Sequence, residues 1–190
     1  MSIRAVATGA YREALPAVAA SAAGGLVAGL LLGGMRGELR AVPGLLVLVP
    51  ALLATRGNVY SSLGARLGSG LHQGLIEPHL PLDERVRAAI AAAIANGLLA
   101  STFAATAAWV VLGLIDYPVA PLSRLVSIAV LAGLLSGVVL VGAVLGVTFL
   151  AFRRGLDPDT LVGPVVTTTG DLFGLAFLVL AARIVLLGGG

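Results

Sequence analysis

Thr160-Leu161-Val162-Gly163-Pro164-Val165-Val166-Thr167-Thr168-Thr169-Gly170-Asp171-Leu172-Phe173-Gly174-Leu175-Ala176-Phe177-Leu178-Val179-Leu180-Ala181-Ala182 carries one formal charge, Asp171, with eleven uncharged residues on either side. A helix rises about 1.5 Å per residue, so this run is long enough to cross the roughly 30 Å hydrocarbon core of a bilayer, with the carboxylate close to the midplane. A charge at that depth costs at least about 2.5 kcal/mol. It therefore needs a cation, a partner group or water beside it. What keeps Asp171 company is the first question the chain poses.

The surrounding composition says that the run does lie in a membrane. Hydrophobic residues make up 58% of the 190, charged residues only 11%, and mean hydropathy is +1.05. Soluble domains carry roughly 25% charged residues, and no soluble fold of this length could hide so much apolar surface. An all-α integral membrane protein follows, with the lipid bilayer as its main partner. Cysteine is absent, which excludes disulfides and thiolate metal sites. All twelve basic residues are arginine, and the net charge is +3. No basic cluster is interleaved with aromatics, so anionic lipid headgroups and not nucleic acid are the expected neighbours. Neither HExxH nor GxSxG occurs, and no embedded Ser/His pair has a plausible spacing, so no enzyme is indicated.

Charge-free runs mark the spans: 14–35, 41–55, 88–115, 125–152 and 160–182. The second is short and leads through Arg56 into Gly57–Ala65, so it is taken as one long helix that carries Arg56 into the membrane. The predicted architecture is a single transmembrane domain over 1–190, with five helices at about 14–35, 42–70, 86–115, 123–152 and 162–187. An odd number of spans puts the termini on opposite sides. With the N-terminus inside, cytoplasmic segments hold Arg4, Arg12, Arg85, Arg87, Arg153 and Arg154, and external ones hold Arg36, Arg40 and Arg124. That six-to-three excess predicts a cytoplasmic N-terminus and an external C-terminus, for a chain expected to be a multi-pass protein of the plasma membrane. The first run is too long for a signal-peptide core and four spans follow it, so retention is expected.

Between the second and third helices, Glu77, Pro78, His79, Pro81, Asp83, Glu84 and Arg85 read as a helix stop, a proline-stiffened loop and an acidic helix start. His72, Glu77, His79, Asp83 and Glu84 match no metal-ligand spacing and read as a solvated loop. Asp157 and Asp159 read as surface groups near a cytoplasmic mouth, where they would concentrate cations. Gly25, Gly29 and Gly33, then Gly133 with Gly137 and Gly142 with Gly146, form small-xxx-small rows suited to close helix contact. Trp109 and Tyr117 suit an interfacial belt.

On a helix, Thr167 precedes Asp171 by four residues and Thr168 by three, and Gly163, Thr167, Gly170, Asp171 and Gly174 share one narrow face. This small, oxygen-bearing stripe on an apolar helix offers ligands and room for water. Pro164 frees carbonyls nearby. Asp171 could instead pair with Arg56, or be protonated and hydrogen-bonded. The second predicted helix adds Pro50, Thr55, Arg56, Gly57, Asn58, Ser61 and Ser62, with Pro50 and Gly57 expected to kink or loosen it. Asn58 and Ser61 face the same way, and the Asn58 amide could serve a cation or a neighbouring helix. Asn96 reads as an interhelical hydrogen-bonding group.

Leu156-Asp157-Pro158-Asp159 followed by Gly163-Pro164-Val165-Val166-Thr167-Thr168-Thr169-Gly170-Asp171 closely resembles the last helix of MgtE-type magnesium channels, where a D-P precedes G-P-x-x-T-T-x-x-D. Pro50 followed by Gly57-Asn58 looks like that family's P-x6-G-N segment, and Asn96-Gly97-Leu98-Leu99 is similar to its N-G-L-L. The resemblance runs in order along nearly the whole chain. It implies a homodimer with an ion path along the dimer axis, lined by the second and fifth predicted helices. Asp171 would be the central magnesium ligand, Asn58 the pore asparagine, and Gly163, Thr167 and Thr168 would lie nearby. Two departures stand out. Bacterial members carry a cytoplasmic N-terminal domain and a CBS pair, where thirteen residues precede the first span here. Gating is thus expected to differ or to come from a separate regulatory partner chain. Arg56 also occupies a position that is commonly small in the family.

The expected function is thus a channel or transporter for a divalent cation, magnesium first, with Mg2+ as cargo. Magnesium keeps much of its water and is held by one or two carboxylates. With neither Cys nor clustered His, soft metals are disfavoured, whereas manganese, cobalt or another divalent ion would be accepted. The alternative is a non-conducting membrane subunit that scaffolds a partner chain.

Overall fold

The computed structural model describes residues 3–79 and 82–188, with side-chain surroundings from Leu15 onward apart from Ala17. Pro81 of the connecting loop lies outside the described residues, as do the side chains of Arg4 and Arg12. The described chain is entirely helical: α1 (Ile3–Gly34), α2 (Arg36–Ala41), α3 (Leu45–His72), α4 (Glu84–Leu114), α5 (Leu122–Arg153) and α6 (Pro158–Gly188). Helices α3 to α6 are each long and apolar enough to cross a membrane, and Val18–Gly34 within α1 is a shorter apolar stretch.

Local sequence explains the helix ends. The Asp83 carboxylate accepts the Val86 N–H at 2.8 Å and so caps α4. Asp157 accepts the Asp159 N–H at 3.0 Å, and Pro158 opens α6 as its first helical residue. The D-P pair therefore starts α6 earlier than the charge-free run indicates, and Pro164 lies inside the helix. α3 continues unbroken through Pro50 and Gly57. Gly44, at φ 91°, turns the chain into α3 beneath Leu112 and Val119. A side chain there would be both strained and crowded.

Helix α5 is the centre of the bundle, packed against α3, α4 and α6, while α1 lies along α6. Its buried residues include the glycines Gly133 and Gly137. Those two meet neighbours closely: a methyl on Gly133 would come within 2.7 Å of Ser101 Oγ, and one on Gly137 would overlap the Tyr60 hydroxyl. Gly25, Gly29, Gly33, Gly142 and Gly146 have nothing within 4 Å of where a Cβ would stand. Those rows are not used within the described chain.

Several hydroxyls of the inner helices are satisfied within their own helices, whereas the buried Thr148 Oγ1 of α5 has no partner among the described residues. Ser101, Thr102, Thr106 and Ser136 each donate to the carbonyl four residues back, at 2.6–2.9 Å. In lipid this removes the penalty of an unpaired donor.

The short helix α2, absent from the sequence expectation, bends the chain between α1 and α3. It places Glu38 against α6, where Arg183 Nε donates to Glu38 Oε1 at 2.6 Å. This hydrogen bond and the nearby positive charge hold the Glu38 carboxyl below its ordinary value of 4.5. A depressed carboxyl adds stability above the unfolded value and loses it as pH falls through the folded one. Wild type is thus expected to melt above Glu38→Gln at pH 7, with the gap closing as pH drops below about 4.5. A pH series of thermal melts in detergent checks this; a gap that persists at pH 3 contradicts it.

Candidate cation site between α3 and α6

The α3 face that carries Leu53, Ala54, Gly57, Asn58 and Ser61 opposes the α6 face that carries Val166, Thr167, Gly170 and Asp171, and together they line a cavity of about 340 Å³. Positions 54, 57, 58 and 61 follow helical spacing on α3, as 166, 167, 170 and 171 do on α6. The cavity forms because its walls are small: two glycines, an alanine and a serine leave space that larger side chains would fill. A water occupies about 30 Å³, so six waters need about 180 Å³. The volume suits an ion that keeps most of its hydration.

Three of the residues singled out in the sequence meet here: Asp171, Asn58 and Thr167. Asp171 is half-buried, while Asn58 and Thr167 are exposed on the rim. Thr167 Oγ1 donates to the Gly163 carbonyl at 3.0 Å, which leaves its lone pairs free toward the cavity. Gly163 is thus linked to the site through Thr167 and is not itself on the wall. Thr168 points elsewhere. Its hydroxyl shares a 3.0 Å hydrogen bond with Ser21 of α1, next to Gly24, where a Cβ would overlap the Thr168 methyl. Thr168 therefore fastens α1 to α6.

Arg56 is buried, 3% exposed, and does not pair with Asp171. Among the described residues none of its three guanidinium nitrogens has a hydrogen-bond partner. The group lies against Gly174, one turn beyond Asp171, where a Cβ would stand 2.7 Å from Nη1. Asn96 lines a different cavity, between α3 and α4, with Asn58, Ser62 and Arg66 among its walls. Asn58 is common to both cavities.

Among the described residues no group of three or more His, Cys, Asp or Glu is arranged to hold a metal. His72 Nδ1 donates to the Gly68 carbonyl at 2.8 Å, and His79 pairs with Glu77 at 3.3 Å. One carboxylate with amide and hydroxyl oxygens around a cavity of this size is a hard-cation arrangement, compatible with an ion bound through its own waters.

Residues 49–181 match the MgtE family, described as a divalent cation transporter, and this stretch covers α4 and α5 in full and most of α3 and α6. The chain belongs to the MgtE family. Similar curated proteins are members of solute carrier family 41. Member 2 of Xenopus laevis is 30% identical over 70% of this chain and 24% of its own length. Human member 2 is 30% identical over 73% and 25%, and rat member 3 is 27% identical over 74% and 31%. The chain thus spans about a quarter to a third of the length of these relatives. The MgtE match includes Asn58, Arg56, Asp171 and every wall of the α3–α6 cavity.

Two features of the site were not singled out in the sequence. Ser21 is one of several small residues in α1, and only its approach to Thr168 gives it a role. Tyr60 is an aromatic in a helix, and only the bundle reveals its hydroxyl between Gly97 and Gly137.

Proposed function

We propose that the chain is the membrane domain of a divalent-cation channel or transporter, magnesium being the favoured cargo, with Asp171 as the central ligand of an ion path between α3 and α6. The observation that carries this reading is the convergence of Asp171, Asn58 and Thr167 on one hydrated-ion-sized cavity between α3 and α6. In an MgtE chain, that convergence supports transport over a purely structural role.

The polar wall is open at its edge, with Ala54, Asn58, Ser62 and Thr167 all exposed. Facing lipid, such a surface would present the Asn58 amide and the half-buried Asp171 carboxylate to hydrocarbon, a state that membrane interiors penalise. A second copy of the chain, related by a two-fold axis along this face, would cover it and bring two Asp171 carboxylates to one path. Two carboxylates and a shell of retained waters are the usual holding of magnesium. The same arrangement accepts manganese or cobalt, and discrimination would rest on cavity size and on the cost of removing water. The proposed location is the plasma membrane, and the arginine distribution favours a cytoplasmic N-terminus.

The test is flux. Purified chain in proteoliposomes is expected to admit Mg2+, read by an internal dye, with Mn2+ and Co2+ competing and Na+ alone giving no signal. Absence of flux from folded protein, together with a copurifying chain whose removal destabilises it, would replace this reading with that of a scaffolding subunit. The dimer has its own check. The chain has no native cysteine, so Ala54→Cys is expected to yield a cross-linked dimer under mild oxidation, whereas Leu99→Cys on the exposed face of α4 is not.

A further inference from the structure

Arg56 is the one feature beside the cavity that a cation site does not call for. A guanidinium is costly inside a membrane, and a buried charge is usually retained only where another charge or a polar network offsets it. Here the side chain is 3% exposed and its nitrogens are unpartnered among the described residues. Away from helix ends, Asp171 is the one acidic residue described in α3 to α6. The spatial relation of the two groups is fixed by α6. Gly174, on which the guanidinium rests, follows Asp171 by three residues, a rise of about 4.5 Å on the same helix face. Leu53, a wall of the cavity, shares the notch: a Cβ on Gly174 would stand 2.9 Å from its Cδ2. The charge is thus held against Gly174, which leaves room for it, about one turn along α6 from the residue that bears the carboxylate.

We infer that Arg56 is a fixed counter-charge that sets how weakly the α3–α6 cavity holds its cation. The inference rests on the reading of that cavity as a divalent-cation site. Coulomb energy falls only as the inverse of distance, and in a low-dielectric interior a full charge one turn away acts without contact. A divalent ion feels it twice over. The field of Arg56 subtracts from the attraction of Asp171, and across a two-fold axis two such pairs make a site of zero net charge before the ion enters. Such a site releases its ion readily, which conduction requires as much as entry. Arg56 touches no cation in this account. It acts through the field at the cavity, so a substitution that keeps the charge leaves binding nearly unchanged, whereas one that keeps only the bulk tightens it.

Equilibrium binding of Mn2+, read by loss of the free-ion electron paramagnetic resonance signal, separates these effects on the full chain in nanodiscs. Arg56→Gln and Arg56→Met, the second retaining apolar bulk should the first fold poorly, are expected to tighten binding about tenfold or more. Arg56→Lys is expected to stay within about twofold of wild type, since it keeps the charge. In an Asp171→Asn background, binding is expected to stay weak with or without Arg56→Met, because the carboxylate that holds the ion is gone. Binding by Arg56→Met and Arg56→Gln that equals or falls below wild type would overturn the inference, as would equal tightening by Arg56→Lys. If Asp171→Asn binds Mn2+ as wild type does, the cavity reading itself fails; if Asp171→Asn loses binding while Arg56→Met matches wild type, only the role of Arg56 fails.

Discussion

Asp171→Asn is expected to lower Mg2+ flux into proteoliposomes by about two orders of magnitude or more while the chain still folds and inserts. Even an outer-shell partner of a metal costs about 10- to 100-fold when removed, and Asp171 is the one carboxylate on the walls of the cavity. The amide is isosteric, so the walls formed by Gly57, Asn58, Thr167 and Gly170 keep their shape and only the charge is lost. Removal of a charge near the bilayer centre also relieves a cost of a few kcal/mol, so the variant is expected to melt no lower than wild type. Loss of transport together with retained or raised stability is the signature of a functional charge. A drop in both would mark Asp171 as structural. Asn58→Ala, which removes one neutral oxygen from the rim, is expected to have a smaller effect than Asp171→Asn in the same assay.

The second large effect is on assembly of the bundle. Tyr60 is 2% exposed, and its hydroxyl sits where α3, α4 and α5 meet. A Cβ on Gly97 would stand 3.2 Å from that oxygen, and one on Gly137 would overlap it. Gly137→Ala is therefore expected to cost about 1–3 kcal/mol, the usual range for overpacking a close-packed interior. A tyrosine ring cannot bend away as a methionine can, so relief must come from movement of a helix. Tyr60→Phe removes the oxygen. It is expected to recover much of the loss in the double variant, a non-additivity typical of residues in contact. Thermal melts of the four proteins in detergent measure the cycle. Strict additivity would show that the two residues are not packed as described.

Membrane insertion and the helical architecture could be read from the sequence because lipid leaves few options: charge-free runs of sufficient length must be helices. The site was legible for a related reason. Asp171, Thr167 and Asn58 are polar in apolar surroundings, and helical spacing alone puts Thr167 and Asp171 on one face. Thr168 was not separable from Thr167 by that logic. The two adjacent hydroxyls diverge by about 100° around a helix, and only the position of α1, with Ser21 and the small Gly24, decides that Thr168 serves packing. Arg56 was ambiguous for the same reason. Its choice between Asp171 and the Gly174 notch depends on the contact of α3 with α6, which no periodicity encodes. The start of α6 was misjudged because the boundary was drawn at the last charge. Asp157-Pro158 is itself a helix-start signal, and it carries a charged residue into the first turn. Glu38 lies between two charge-free runs and carries no periodic signal, yet it is the acid that ties α2 to Arg183.

The central claim is that paired Asp171 carboxylates hold one divalent ion between two copies of the chain. Its most direct test is the stoichiometry of Mg2+ binding to purified chain in nanodiscs at saturating Mg2+, by equilibrium dialysis at matched protein concentration. The account predicts about one ion per two chains for wild type, and loss of that ion, with the dimer intact, for Asp171→Asn. Equal binding by the two proteins would contradict it.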